Sequence, residues 1–262
     1  MYLEPITENL NNSSAITILN SLNIKELVDN FIVSQDVKTS SKELYNRTLK
    51  QYFNWIATEN LLLEDITRIE ILKYKDSLLS SGLSSLTVGS YITVVRKFYE
   101  FLEANKLYPN VARGIKNPKR KQQFRKQPLQ PLQATKLIEH YLDKSCRDYA
   151  IINLLLRTGL RTIEVIRANI GDLVFKGAQR VLLIQGKGRD EKDNFVVITD
   201  KTYSSIKSYL STRIGLTDLE PLFISNSNNS KGERLTTRTI SYIAKEGLKA
   251  IGLNESYFTA HS

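Results

Sequence analysis

The sequence predicts a mainly α-helical protein with a small antiparallel β-sheet, built as two folded parts on either side of a basic connector. Three observations lead there. Between residues 24 and 102, apolar side chains recur at helical spacing in four runs, with no convincing strand among them. Residues 113–128 then gather lysine and arginine around two prolines and a glycine, without an acid. Farther on, helical patterns enclose three short runs rich in β-branched and aromatic residues, between 174 and 198. At 262 residues the chain is long for one small domain and sufficient for two cores. The expected division is a flexible leader at 1–22, a four-helix domain at 23–112, a linker at 113–130 and an α+β domain at 131–262.

In the first helix, expected over 24–31, the stripe is Ile24, Leu27, Val28 and Phe31. Thr39, Ser40 or Ser41 caps the second, which carries Leu44, Tyr45, Thr48, Leu49, Tyr52, Phe53 and Ile56. Trp55 lies beside that stripe, in the core or facing a groove. Thr67 followed by Glu70 is a capping box opening a third helix to about 79, and Gly82 ends it. Ser84 or Ser85 starts the fourth, with Val88, Tyr91, Ile92, Val95, Phe98, Tyr99 and Leu102 on one side. Four such helices fold as a compact bundle.

In the second part, Pro131 suits the first turn of a helix whose buried side is Leu132, Leu137, Ile138, Tyr141 and Leu142. A helix over 147–158 runs into Gly159, a natural stop because glycine accepts the left-handed conformation. Arg161 then stands at the corner where another helix begins, with Ile163, Val165 and Ile166 facing inward. Strands are expected at 174–175, 181–184 and 195–198. Lys187, between two glycines, opens the connection joining the last two. Helical patterning returns at 202–213 and 236–251.

The net charge of +10 calls for a polyanionic partner, and nucleic acid leads. No apolar run reaches bilayer length, the N-terminus lacks a signal-peptide plan, and no basic helix carries a Trp/Phe/Leu face. A membrane role is therefore not expected. A single cysteine, Cys146, excludes an internal disulfide framework, and with only His140 and His261 a Cys/His zinc set is not expected. Cys146 is expected to be a packing residue and His140 a surface helix residue. No cofactor or metal is expected, and a reducing cytoplasm is the natural location.

Arg161 is suited to grip a phosphate, because a guanidinium makes two charge-assisted hydrogen bonds at once. Other candidate DNA contacts are Arg47, Thr87, Ser90, Tyr91 and Lys97 on the first-part helices. Lys119, Arg120, Lys121, Arg125 and Lys126 form a cationic strap along phosphates, and Arg189 and Arg238, with Arg234 and Lys231, add to the second part. Taken singly, a solvated face or a self-repelling linker accounts for each of these charges, and a turn lysine accounts for Lys187.

Three features stand in fixed order: Thr158-Gly159-Leu160-Arg161 with Glu164, Gly186-Lys187-Gly188-Arg189 on a hairpin, and Thr259-Ala260-His261-Ser262. With a four-helix part ahead of them, they resemble the tyrosine recombinase (phage integrase, Xer-like) family over residues 24–262. The resemblance implies a core DNA-binding, SAM-like first domain and a catalytic second domain, closing as a C-shaped clamp on duplex DNA. It implies strand cleavage and rejoining through a 3′-phosphotyrosyl link, on double-stranded DNA bearing a specific recombination site. Arg161 would hold nonbridging phosphate oxygens, Lys187 would protonate the departing 5′-oxygen, and His261 would assist at the phosphate. Glu164 would orient the arginine-bearing corner. Full-length members assemble as homotetramers on DNA.

The sequence also departs from the pattern. Ser262 lies one residue into the family's His-x-x-Arg motif, and none of the 13 tyrosines stands where the nucleophile belongs. The expectation is a C-terminally truncated, catalytically incompetent form that is a monomer in solution. A non-catalytic DNA-binding protein derived from a recombinase is the alternative. An RNA-binding helical protein is the remote third reading, since it makes Arg161 and Lys187 coincidental.

Overall fold

Segregation of the apolar stripes gives two separate cores. The computed structural model describes residues 24–119 and 127–260, which divide near residue 122 into two compact units. The leader and the middle of the basic stretch lie outside the described residues.

In the first unit, helices α1 (Ile24–Ser34), α2 (Thr39–Thr58), α3 (Arg68–Ser80) and α4 (Ser85–Ala104) follow the four expected stripes. The predicted capping box forms: Thr67 accepts the Ile69 N–H, and Glu70 accepts the Thr67 N–H. The core is aromatic, with Phe31, Tyr52, Tyr74, Phe98 and Tyr99 all fully buried. Trp55 joins it, stacked on Tyr52 and 5.2 Å from the Tyr74 ring, which places it in the core. Burying tyrosine is tolerable only when its hydroxyl is bonded, and Tyr52 and Tyr99 bond to each other at 2.9 Å.

After α4 the chain doubles back. The Tyr108 hydroxyl donates to the carbonyls of Glu64 and Ile66, and Arg96 donates to the Ile115 carbonyl. Ala112 and Ile115 are buried in the first core, so the start of the basic stretch is fixed to this unit.

The second unit begins with α5 (Pro131–Leu142), α6 (Cys146–Thr158) and α7 (Thr162–Arg167). Strands β1 (Leu173–Lys176), β2 (Gln179–Ile184) and β3 (Asn194–Val197) form an antiparallel sheet in that order. Helices α8 (Asp200–Leu210) and α9 (Thr237–Ala250) follow. Leu182 pairs with Leu173 on one side and Val196 on the other, and all three join the core of the second unit.

Two expectations are corrected here. Leu132 and Leu142 are exposed, and α5 buries only Leu137 and Tyr141. The reason is Gly247 of α9: its missing side chain admits those two residues, since a Cβ would lie 2.6 Å from each. Cys146 is exposed in the first turn of α6, because burial on that helix starts at Ala150. His140, expected at the surface, is half-buried with its ring edge-on to Tyr141.

Candidate functional site

Gly159 ends α6 with φ +65, and its amide returns to the Leu155 carbonyl. That left-handed residue turns the chain so that Arg161 becomes the N-cap of the short helix α7. A helix start leaves amide donors without partners, and Glu164 supplies one acceptor. Its Oε2 accepts the Arg161 N–H at 2.7 Å and its Oε1 accepts Arg161 Nη1 at 3.1 Å. The Glu164 side chain is 6% exposed and that of Arg161 64%. A buried carboxylate therefore fixes both the backbone and the head of a largely exposed arginine. Burial of Glu164, rather than Ile163, is what distinguishes this helix from the apolar pattern read in the sequence.

Lys187 reaches the same place from the sheet. The Arg189 N–H donates to the Gly186 carbonyl at 3.1 Å across the turn, with Gly188 at φ +84. That is the third position of a type II turn, where only glycine is unstrained, and it leaves Lys187 at the exposed tip. Arg161, Glu164, Lys187 and Arg189, with Asp193 and Asn194, line one open cleft of about 290 Å³. Arg189 is paired to Asp193 at 3.1 Å. Arg161 also lines a second groove of about 400 Å³, together with Leu155, Leu156, Leu160 and Leu248. Three cations, Arg161 clamped by a buried acid and Arg189 paired to Asp193, border the first, shallow cleft together with the two carboxylates.

The remaining candidates do not converge on this cleft. Arg47 is exposed on α2, while Ser90, on α4, lines a separate cleft of the first unit and bonds the Leu86 carbonyl. Thr87 is occupied with the Ser84 cap, Tyr91 packs partly into the core, and Lys97 is half-buried on α4. Lys119 and Arg238 are exposed. Arg234 is not a free surface cation: it donates to the Ile166 and Ala168 carbonyls and to Asn169 Oδ1, closing the end of α7. Desolvation at that position lowers its pKa. His261, Arg120, Lys121, Arg125 and Lys126 lie outside the described residues. Sequence reasoning missed Arg167, Asp172 and Lys192, whose contacts with the hairpin and the turn after α7 no local pattern announces. Among the described residues, no group of His, Cys, Asp and Glu gathers to hold a metal, and no helix is long and apolar enough to cross a membrane.

Comparison with known proteins identifies the family of the chain and the fold. Residues 127–262 match the phage integrase family, and residues 24–106 match the phage integrase N-terminal SAM-like domain. A tyrosine recombinase of Pseudothermotoga lettingae is 30% identical over 64% of this chain and 58% of its own length. Tyrosine recombinase XerC of Pelobacter propionicus is 30% identical over 76% of this chain and 65% of its own length. The chain thus spans less than two thirds of these curated relatives. Among solved structures, the fold matches XerH site-specific recombinase bound to a palindromic difH substrate, with TM-score 0.69 and 18% identity, covering 97% of this chain and 76% of that one. It also matches a lambda integrase tetramer bound to a Holliday junction, with TM-score 0.66 and 16% identity, covering 98% and 75%.

Proposed function

The chain belongs to the phage integrase family, and from that premise we propose that it acts in site-specific DNA recombination by gripping a scissile phosphate between Arg161 and Lys187. The single observation that carries this reading is the meeting of Arg161, clamped by Glu164, with Lys187 around one cleft although 26 residues of sequence separate them.

In the reaction so proposed, a tyrosine hydroxyl attacks the phosphate, a 3′-phosphotyrosyl bond forms, and the bond to the 5′-oxygen breaks. Arg161 stabilises charge on the nonbridging oxygens, where preorganised cations are most effective. Lys187 gives its proton to the departing 5′-oxygen, and His261 assists at the phosphate. A 5′-hydroxyl from a partner strand reverses the step, so no water is consumed. Arg47, Ser90, Lys97, Lys119, Arg189 and Arg238 are proposed to hold the duplex backbone, as are Arg120, Lys121, Arg125 and Lys126 of the strap. Recombination of this kind joins two duplexes, which fits a homotetramer on DNA for the complete assembly.

We infer further that residues 1–262 bind duplex DNA without forming the covalent link. Tyr141 is committed to the Ile243 carbonyl, Tyr209 is stacked on Phe223, and no tyrosine among the described residues lines the cleft. The test is a nicked suicide duplex on which a 3′-phosphotyrosyl adduct accumulates. Binding without adduct is expected, and an adduct mapped to a tyrosine before residue 262 would overturn this inference. Gel shifts of duplex DNA and RNA at two salt concentrations test the partner, since phosphate-gripping cations give steeply salt-dependent affinity. Preference for RNA would sink the reading.

A further inference from the structure

Arg161 and Lys187 come from different elements, and something must fix the hairpin against the helix. Two cross-ties do so. On the leg leaving β2, Arg167 at the end of α7 donates to the Gly186 carbonyl at 3.0 Å. On the leg entering β3, the Lys192 ammonium donates to Asp172 Oδ2. Asp172 lies in the short 3-10 turn Ile170–Asp172 directly after α7, and the same oxygen accepts the Asn169 N–H at 2.6 Å. Its side chain is 10% exposed and that of Lys192 27%. The far side of the turn is held as well, because Arg234 donates to Asn169 Oδ1 at 2.6 Å. The helix carrying Arg161 thus ends in a braced turn, and the hairpin carrying Lys187 is fastened to the end of α7 on one leg and to that turn on the other.

Lys192 is the informative member. Its loop carries three cations and three acids, yet its ammonium passes over the acids beside it and is turned inward onto the mostly buried carboxylate of Asp172. Removing Lys192 takes from the mostly buried Asp172 carboxylate its direct ion pair, leaving the Asn169 N–H and the field of Arg234, so releasing the hairpin costs a charge-assisted hydrogen bond. Arg189, three residues away, makes the contrast: its ion pair with Asp193 is exposed and lies within the hairpin itself, so it fastens nothing to α7.

We propose that Asp172 and Lys192 are a positioning pair, which holds the β2–β3 hairpin against α7 so that Lys187 faces the phosphate bound by Arg161. Lys192 contacts no phosphate itself. The proposal rests on the phosphate-binding reading of Arg161 and Lys187.

The experiment uses the whole 262-residue chain and the variants Lys192→Met, Lys192→Arg and Asp172→Asn, alone and combined with Lys187→Ala. Hydrogen exchange of residues 185–193 and affinity for duplex DNA are both measured. Lys192→Met and Asp172→Asn are expected to raise hairpin exchange on the order of tenfold, the scale of losing one charge-assisted hydrogen bond. Exchange in α6 and α8 should stay unchanged, and Lys192→Arg should restore the hairpin. Lys187→Ala should weaken duplex binding less in the Lys192→Met background than in the parent, because a misplaced lysine has less to lose. Unchanged hairpin exchange, or losses at the two lysines that simply add, would overturn the proposal and make Lys192 an independent DNA contact. Faster exchange throughout the second unit would overturn it too, reducing the pair to a general stabiliser. If the hairpin loosens while Lys187→Ala is silent in both backgrounds, the phosphate-binding reading is what has failed, and the purpose assigned to the pair falls with it.

Discussion

The two units bury polar groups for opposite ends. In the first, the buried hydroxyls of Tyr52 and Tyr99 satisfy each other, and the outcome is a closed aromatic core. In the second, the buried carboxylates of Glu164 and Asp172 are turned outward against Arg161 and Lys192, so burial on one side organises charge on the other. A buried polar group can close a core or aim a surface, and its partner decides which. The first unit therefore offers a surface whose cations owe little to its interior, whereas the cations of the second unit's cleft are set by what lies beneath them.

Alkaline pH should separate the two units most strongly. Burial pushes the hydroxyls of Tyr52, Tyr74 and Tyr99 well above the usual value of 10.0, and Tyr108 follows. In the second unit burial raises Tyr141 to about 12. A tyrosine whose folded pKa is raised keeps its full stabilising contribution below the unfolded value, and loses it as pH climbs through the folded value. Each unit of displacement is ~1.4 kcal/mol, so the first unit has several kcal/mol to lose above pH ~10. Trp55 is the only tryptophan and reports the first unit alone. Its fluorescence transition is expected at lower pH than loss of hydrogen-exchange protection in α6 and α8. Coincident transitions would erase the contrast.

Two mid-helix glycines give the next largest effect, with opposite signs. A Cβ at Gly247 would meet Leu137 and Tyr141 at 2.6 Å, whereas one at Gly89 would meet Asn117 at 3.6 Å, an ordinary contact. Gly247→Ala should therefore destabilise the second unit by ~1–3 kcal/mol through overpacking, less what helix propensity returns. Gly89→Ala should stabilise the first by ~0.5–1 kcal/mol. Urea denaturation followed by Trp55 fluorescence for one and hydrogen exchange for the other checks both signs.

What the sequence revealed follows the same division. The first unit was legible because its stripes, the Thr67–Glu70 box and the break at Gly82 are local signals, each readable within a turn or two of helix. In the second unit the Gly159 stop and the glycines around Lys187 were equally local, and they exposed the corner and the hairpin tip. Leu132, Leu142 and Cys146 were misread because their burial depends on how closely α9 approaches α5 and on where α6 enters the core. Glu164 was legible as a partner of the corner, but its burial was not. Asp172, Lys192 and Arg234 were illegible as a brace, since their partners lie 20 to 68 residues away.

Glu164 sharpens the comparison at a smaller scale. Glu164→Gln keeps the side chain's size but removes the charge and one of its two acceptors for Arg161. A loss of about 1 kcal/mol in the second unit is expected, with weaker duplex binding as the arginine head is released. Binding as tight as the parent's, measured by fluorescence anisotropy at low salt, would mean that Arg161 needs no fixing.

The smallest effect concerns one half of a cap that both units build, a glutamate accepting the N–H of the residue three before it. Glu70 caps α3 as Glu164 caps α7, but at the surface of the first unit and with no site behind it. The Thr67 hydroxyl, donating to the Glu70 carboxylate, lowers that group's pKa from 4.5 to about 2. A carboxyl depressed on folding adds stability above its unfolded pKa, and that contribution disappears as pH falls through the folded value. Thr67→Ala should therefore cost most above pH ~5, and the gap to the parent should narrow between pH ~4.5 and ~2 as Glu70 takes up its proton. The Glu70 side chain is half-buried against its own cap and pairs with the exposed Lys73, and an ion pair open to solvent on one side keeps the change small. Urea midpoints of both chains, read by Trp55 fluorescence across that range, measure it. A gap that does not vary with pH would assign the cap to the Thr67 hydroxyl on the Ile69 amide alone, leaving Glu70 a surface acid whose likeness to Glu164 is one of sequence position only.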